Sequence, residues 1–164
     1  MKNNYIHNFA CWAAARAVQN PNHSGTSTAI IRKALDGIDI YSYVEDPTKL
    51  DKYEDAHKEI VEKLMSKLNW NILGDRYGVA AKIIAIYFKV AIIIPGKASF
   101  SIIKGIYPPI DAFNLKSIEG FKNAKWTKLN EATYNEIITA LDKQLKNNKS
   151  SFIEFEAENT LIIK

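Results

Sequence analysis

At 164 residues, with 47% hydrophobic and 24% charged side chains, the chain can bury a sizeable core and is not composed like a disordered protein. Its net charge of +4 and pI near 9.0 suit a polyanionic partner without requiring one, since no basic low-complexity tail accompanies them. The single cysteine, Cys11, excludes an internal disulfide, and its apolar run "NFACWAAARA" predicts a buried thiol in a reducing compartment.

The opening "MKNNYIHNF" has no apolar h-region and no small-residue cleavage site, so a cytoplasmic protein is expected. "NNYIHNFACWAAARAVQ" has helical spacing, with Phe9, Trp12, Ala13 and Ala17 on one stripe, and "NPNHSG" is expected to end it. "TSTAIIRKALDG" predicts a short helix capped by Thr26 or Ser27, with Gly37 past its end. "DIYSYVEDP" is aromatic and β-branched and is expected to be extended before Pro47. From Leu50 to Leu68 the apolar positions 50, 53, 60, 61, 64, 65 and 68 predict one long amphipathic helix with a solvated charged face.

Fourteen of the sixteen residues from Val79 to Ile94 are apolar, the pattern of a helix surrounded by others. The run is too short to span a bilayer and carries two lysines, so it predicts a core helix and no membrane anchor. "PGK" breaks it, and "ASFSIIKGIY" leads to "PPIDAFNLKSIEGF", where Pro109 is placed to open a helix with Asp111 in its first turn. "KNAKWTKLN" reads as a loop with lysines around Trp126. Asn130 is expected to cap "EATYNEIITALDKQLK", whose stripe is Tyr134, Ile137, Ile138, Leu141 and Leu145. The tail "FIEFEAENTLIIK" fits helix or strand. The expectation is one mainly α domain over residues 1–164, with 147–164 a tail packing on it. Six or seven helices should surround the one near 79–94.

His7, His23 and His57 are widely separated, and no metal-binding motif, phosphate-cradling glycine loop or nucleophile elbow is present. No metal and no cofactor is therefore expected. Attention falls on the few charged residues in apolar settings. On a helix, positions 82, 85 and 89 share a face, so Lys82 and Lys89 form one polar line with their stems on hydrophobic surface. A lysine held among apolar groups is shifted towards its neutral, nucleophilic form. Arg16 falls four residues after Trp12, near the aromatic stripe. Asp111 is its expected acid partner, with Glu154, Glu156 or solvent as alternatives.

Two resemblances follow from longer stretches. "YIHNFACWAAARAVQ", "YGVAAKIIAIYFKV", "IYPPIDAFNL", "AKWTKLNEATYNEII" and "FIEFEAE", in that order, resemble a family of small bacterial helical proteins with no assigned activity. That resemblance implies one helical cytoplasmic domain. The chain departs from it at Phe152 and Phe155, where tryptophans are expected. "GVAAK" followed by "PPID" is similar to the helix-hairpin-helix DNA glycosylases, with Asp75, Arg76 and Tyr77 between Gly74 and Gly78 as a departure from the usual tight turn.

The second resemblance implies that Lys82 attacks the sugar carbon as an amine. It also implies that Asp111 stabilises developing positive charge and helps deprotonate the lysine. Trp126, Tyr107 or Phe113 would then serve as wedge or stacking surface, and Lys122, Lys125 and Lys128 would contact phosphates. Three function classes follow. One is a helical binding or adaptor module contacting nucleic acid or another protein through the Trp126 loop. The second is a glycosylase/lyase using Lys82 and Asp111. The third is an anionic-ligand pocket clamped by Arg16, Lys82 or Lys89.

Overall fold

Caps written into the sequence set where several helices begin, and small side chains set how closely two of them pack. The computed structural model describes residues 4–19, 26–71 and 74–161, with side chains up to residue 159. His23 and the expected terminator "NPNHSG" lie outside the described residues, as does the end of the tail. The helices are α1 (Tyr5–Val18), α2 (Thr28–Gly37), α3 (Ser42–Glu45), α4 (Tyr53–Lys67), α5 (Tyr77–Phe88), α6 (Phe100–Ile103), α7 (Ala112–Leu115), α8 (Glu131–Asn147) and α9 (Phe152–Leu161). Six of these have ten residues or more and three are single turns, and no strand occurs among the described residues. The fold is a single all-helical domain.

The N-caps follow side-chain chemistry. Asn4 accepts from the His7 N–H, Ser27 from that of Ile30 and Asn130 from that of Thr133, each satisfying a first-turn donor that the helix leaves open. The tail resolves as helix for the same reason. The Glu154 carboxylate accepts from the Ser151 N–H at 2.8 Å and from its hydroxyl at 2.7 Å, a capping arrangement that starts α9. α9 packs on α7 and α8.

The hub is α5, which packs against α1, α4 and α8 and buries nearly every residue it contains. The apolar run continues past Phe88 as a π-helical turn over Lys89–Ile93, where Ile94 N–H donates to Lys89 O. Pro95 cannot extend the ladder. Gly96, at φ 65°, takes the left-handed conformation that folds the chain back, with Lys97 N–H on Ile92 O.

Three expectations fail locally. "SYVE" forms the single turn α3, not an extended segment, because Ser42, Val44 and Asp46 find i−3 and i−4 carbonyls at hand. The long helix expected from Leu50 to Leu68 forms as α4 but starts three residues late, because Leu50 closes a 3-10 turn, Pro47–Leu50, opened by Asp46 and its proline. In α1 the inward face is the opposite of the expected stripe. His7, Ala10, Cys11, Ala14, Ala15 and Val18 are buried, whereas Tyr5 is 77%, Phe9 64% and Trp12 49% exposed. Small residues on its buried face let α1 lie close to α5, and bulky rings on that side would hold the helices apart.

Candidate functional site

The site begins with a glycine. Gly78 lies in the first turn of α5, and its N–H donates to Leu129 O at 3.1 Å. A Cβ there would stand 2.6 Å from Trp126 O and 2.8 Å from Leu129 Cβ. Only glycine lets the 3-10 turn Trp126–Lys128 press this closely on α5. One turn further along α5, the Lys82 ammonium lies 4.2 Å from the centre of the Trp126 ring, a cation–π contact.

Asp111 supplies the counter-charge. Its Oδ2 lies 3.6 Å from Lys82 Nζ, an ion pair just beyond hydrogen-bonding length. Its Oδ1 accepts from the N–H groups of Phe113 and Asn114 at 3.0 and 2.9 Å, so Asp111 is the N-cap of α7 and not a first-turn residue. Asn114 donates to Pro109 O at 2.6 Å and accepts from Asn159 of α9, which fixes the segment that carries the carboxylate. Lys82 is 9% exposed. Burial pulls its pKa below the usual lysine range, and Asp111 opposes that shift only in part. The arrangement is a desolvated amine with a carboxylate beside it and an aromatic face over it.

The other expected binding residues disperse. Lys89 pairs with Glu156 of α9 at 2.5 Å, with its side chain one third exposed. Lys128 pairs with Asp75 at 3.2 Å on the surface, and Lys125 is exposed. Tyr107 sits in an aromatic group with Tyr53, His57 and Phe152, at ring separations of 4.9, 5.1 and 5.3 Å. Burial raises its pKa to about 12.

Arg16 corrects an expectation outright. It is exposed and donates to Gln19 Oε1 at 2.6 Å, while Asp111 is taken by Lys82. The reason is the face of α1, since Arg16 follows Phe9 and Trp12 outward. Arg16, Lys82 and Lys89 thus each have a separate partner and do not converge on one anion.

Two constellations were not anticipated. His7 Nε2 is 2.6 Å from Asp36 Oδ1, its Nδ1 is 2.7 Å from the Tyr87 hydroxyl, and Cys11 Sγ stands 3.6 Å from Nε2. Burial first, then Asp36, pushes the thiol pKa up to about 12, so Cys11 packs as a protonated thiol. The i, i+4 spacing of His7 and Cys11 was legible, whereas Asp36 and Tyr87 arrive from other helices.

The second is His57, stacked on Tyr134 at 5.4 Å and 10° and ringed by Tyr53, Tyr77 and Tyr107. Burial drives its pKa down to about 3, so it is neutral. The Tyr53 hydroxyl in this group is buried without a partner at good hydrogen-bonding geometry among the described residues, the Tyr107 backbone being the polar group that acts on it.

An open groove of about 390 Å³ is lined by Glu62, Met65, Asn71, Gly74, Tyr77 and Glu131. Neither Lys82 nor Asp111 lines it. Among the described residues no set of three His, Cys, Asp or Glu side chains is placed to hold a metal ion, and no helix is long and apolar enough to cross a membrane. No family model, no curated protein and no solved structure matches the chain.

Proposed function

We propose that Lys82 is the amine nucleophile of a base-excision type DNA enzyme and Asp111 its proton acceptor. The observation that carries this reading is the burial of Lys82 Nζ beside the Asp111 carboxylate and under the Trp126 ring. An ordinary surface lysine is protonated and unreactive at neutral pH. Desolvation favours the neutral amine, and the carboxylate next to it takes the proton that is released. The resemblance of "GVAAK" and "PPID" to the helix-hairpin-helix glycosylases assigns the same two roles to the same two residues, but the Gly-Val turn it implies is absent, since Gly78 and Val79 are helical and Lys82 lies in the second turn of α5.

The amine would form a bond to C1′ of a deoxyribose in DNA as the group on C1′ leaves with its electron pair. Opening of the sugar ring then gives an imine between Lys82 and C1′, which water later hydrolyses. The net positive charge and the exposed Lys122 and Lys125 near Trp126 suit a phosphate backbone, and the activity belongs in the cytoplasm with the cell's DNA. The test is reductive trapping of the imine on lesion-containing duplexes, followed by peptide mapping of the adduct. Trapped DNA on Lys82, absent in Lys82→Met, supports the reading. A folded protein that traps no duplex, or traps it on other lysines, ends it.

One feature favours a binding module instead. Tyr5, Phe9 and Trp12 form an exposed aromatic face on α1, with Phe9 and Trp12 rings 5.5 Å apart. A macromolecule that covers this face would change Trp12 fluorescence and lose affinity in Phe9→Ser. Salt separates the alternatives, because binding to nucleic acid weakens steeply with ionic strength and binding to an apolar protein surface does not.

A further inference from the structure

Polar groups converge a second time in the open groove, apart from Lys82 and Asp111. Glu62 and Met65 reach it from α4, Tyr77 from the first position of α5 and Glu131 from the first position of α8. At about 390 Å³ it lies at the small end of the range for small-molecule sites.

The two carboxylates face one place. Lys58 Nζ stands 2.9 Å from Glu131 Oε1 and 3.8 Å from Glu62 Oε1, so a single ammonium already touches both. Lys58 reaches them from outside the groove, and its one charge leaves the second carboxylate uncompensated. Neither Glu62 nor Glu131 has another hydrogen-bond or ion-pair partner among the described residues.

Tyr77 is the third group. It is 4% exposed, and its ring is held against Tyr134 and His57 at 5.3 and 6.4 Å. Its hydroxyl nevertheless has no hydrogen-bond partner among the described residues. After burial, the charges that act most on this hydroxyl are Glu131 and Glu62, the two carboxylates of the groove, so it is aimed at that space. A buried phenol left open is costly, and a donor entering the groove would satisfy it.

These groups select one class of ligand. Two carboxylates repel an anion. They are also too few for a metal ion, and no set of three metal-binding side chains occurs among the described residues. Met65, 7% exposed, gives the groove an apolar wall. We infer that the groove binds a small organic primary amine, with its ammonium between Glu62 and Glu131 in place of Lys58 Nζ, an N–H on the Tyr77 hydroxyl and its apolar body on Met65. Lys58 is then a built-in competitor, and its exposed side chain is free to swing into solvent when the amine enters. This site is independent of the Lys82 reading.

The experiment titrates phenethylamine into the full chain labelled with nitrogen-15 and follows the amide signals of Glu62, Tyr77 and Glu131. Its isosteres 2-phenylethanol and 3-phenylpropionate serve as neutral and anionic controls. Saturable shifts at the groove are expected with the amine, weaker ones with the alcohol and none with the acid. Glu62→Gln and Glu131→Gln should each weaken amine binding about threefold, the worth of one exposed ion pair, and Lys58→Met should tighten it by about the same factor. Tyr77→Phe, which keeps the ring packed, should weaken it about threefold through the lost hydrogen bond. Lys63→Met, on the same helix but paired with Glu59, should leave it unchanged. The assignment is overturned if the groove signals do not saturate, if the alcohol binds as well as the amine, or if Lys58→Met fails to bind it more tightly than Lys63→Met does.

Discussion

The two oxygens of Asp111 are divided between two tasks: Oδ1 caps α7 through Phe113 and Asn114, and Oδ2 faces Lys82 Nζ at 3.6 Å. One side chain thus holds a helix start and a buried amine together, and substitutions at the two ends of the pair should behave differently.

Lys82→Met keeps the stem and removes the charge that burial penalises. Its melting temperature at pH 7 should equal or exceed that of the parent. Asp111→Ala removes cap and counter-charge together. Loss of the cap alone costs about 0.5–2 kcal/mol, and the unpaired lysine adds to it. The folded-state pKa of Lys82 lies below its unfolded value, so between the two the unfolded chain binds a proton that the folded chain does not. Stability therefore rises with pH across that window, and Lys82→Met should flatten the rise in a series of denaturant titrations.

Gly78→Ala tests the close approach that positions Trp126. The added methyl would meet backbone and a buried leucine, neither able to swing aside. A loss of about 1–3 kcal/mol is expected, with a shift in Trp126 emission as the turn is pushed off α5. An unchanged melting temperature and spectrum would show that the turn accommodates a side chain and that Trp126 is not fixed.

His57 predicts acid sensitivity. Its pKa is about 6.5 in the unfolded chain and about 3 in the folded one, so above 6.5 it is neutral in both and contributes no pH dependence. As pH falls from 6.5 towards 3 the unfolded chain takes up a proton that the folded chain refuses. Stability then drops by up to about 1.4 kcal/mol per pH unit. His57→Phe, which keeps the ring stacked on Tyr134, should remove that part of the slope, read as melting temperature between pH 7 and pH 4.

The faces of α1 give a paired test. Phe9→Ser lies on the exposed face and should change stability by no more than about 0.5 kcal/mol. Ala14→Leu enters the close contact with α5 and should cost about 1–3 kcal/mol, or about 2–4 °C for each kcal/mol in a chain of this size. The opposite ranking would mean that the aromatic face is the packed one.

That pair also marks where sequence reading ran out. The place of α5 at the centre was legible because nearly all of it is apolar, and a helix with no polar face must be surrounded. The stripe of α8 was legible because one face alone carries Tyr134, Ile137, Ile138, Leu141 and Leu145. α1 offers two candidate faces, one of rings and one of alanines. The choice depends on how near the neighbouring helix lies, a tertiary quantity that periodicity does not contain. Lys82 and Asp111 were legible as chemistry, an amine and a carboxylate in apolar runs, but Arg16 competed for the same acid on equal terms. Gly78 decided nothing until Trp126 O was seen against it. The His57 cluster is not legible in the sequence, because its tyrosine neighbours come from four separate segments, with only Tyr53 an i−4 neighbour on its own helix.

The alanine face of α1 also bears on how the chain is born. Translation makes α1 long before its partner α5. At roughly 5–20 residues per second the wait lasts several seconds, plus the transit of the exit tunnel. Through that interval α1 has neither its mate nor a greasy enough side to collapse alone, while Tyr5, Phe9 and Trp12 are already on show. Docking of α1 accordingly waits on α5, and the alanine face stays without its mate until the central helix has been made.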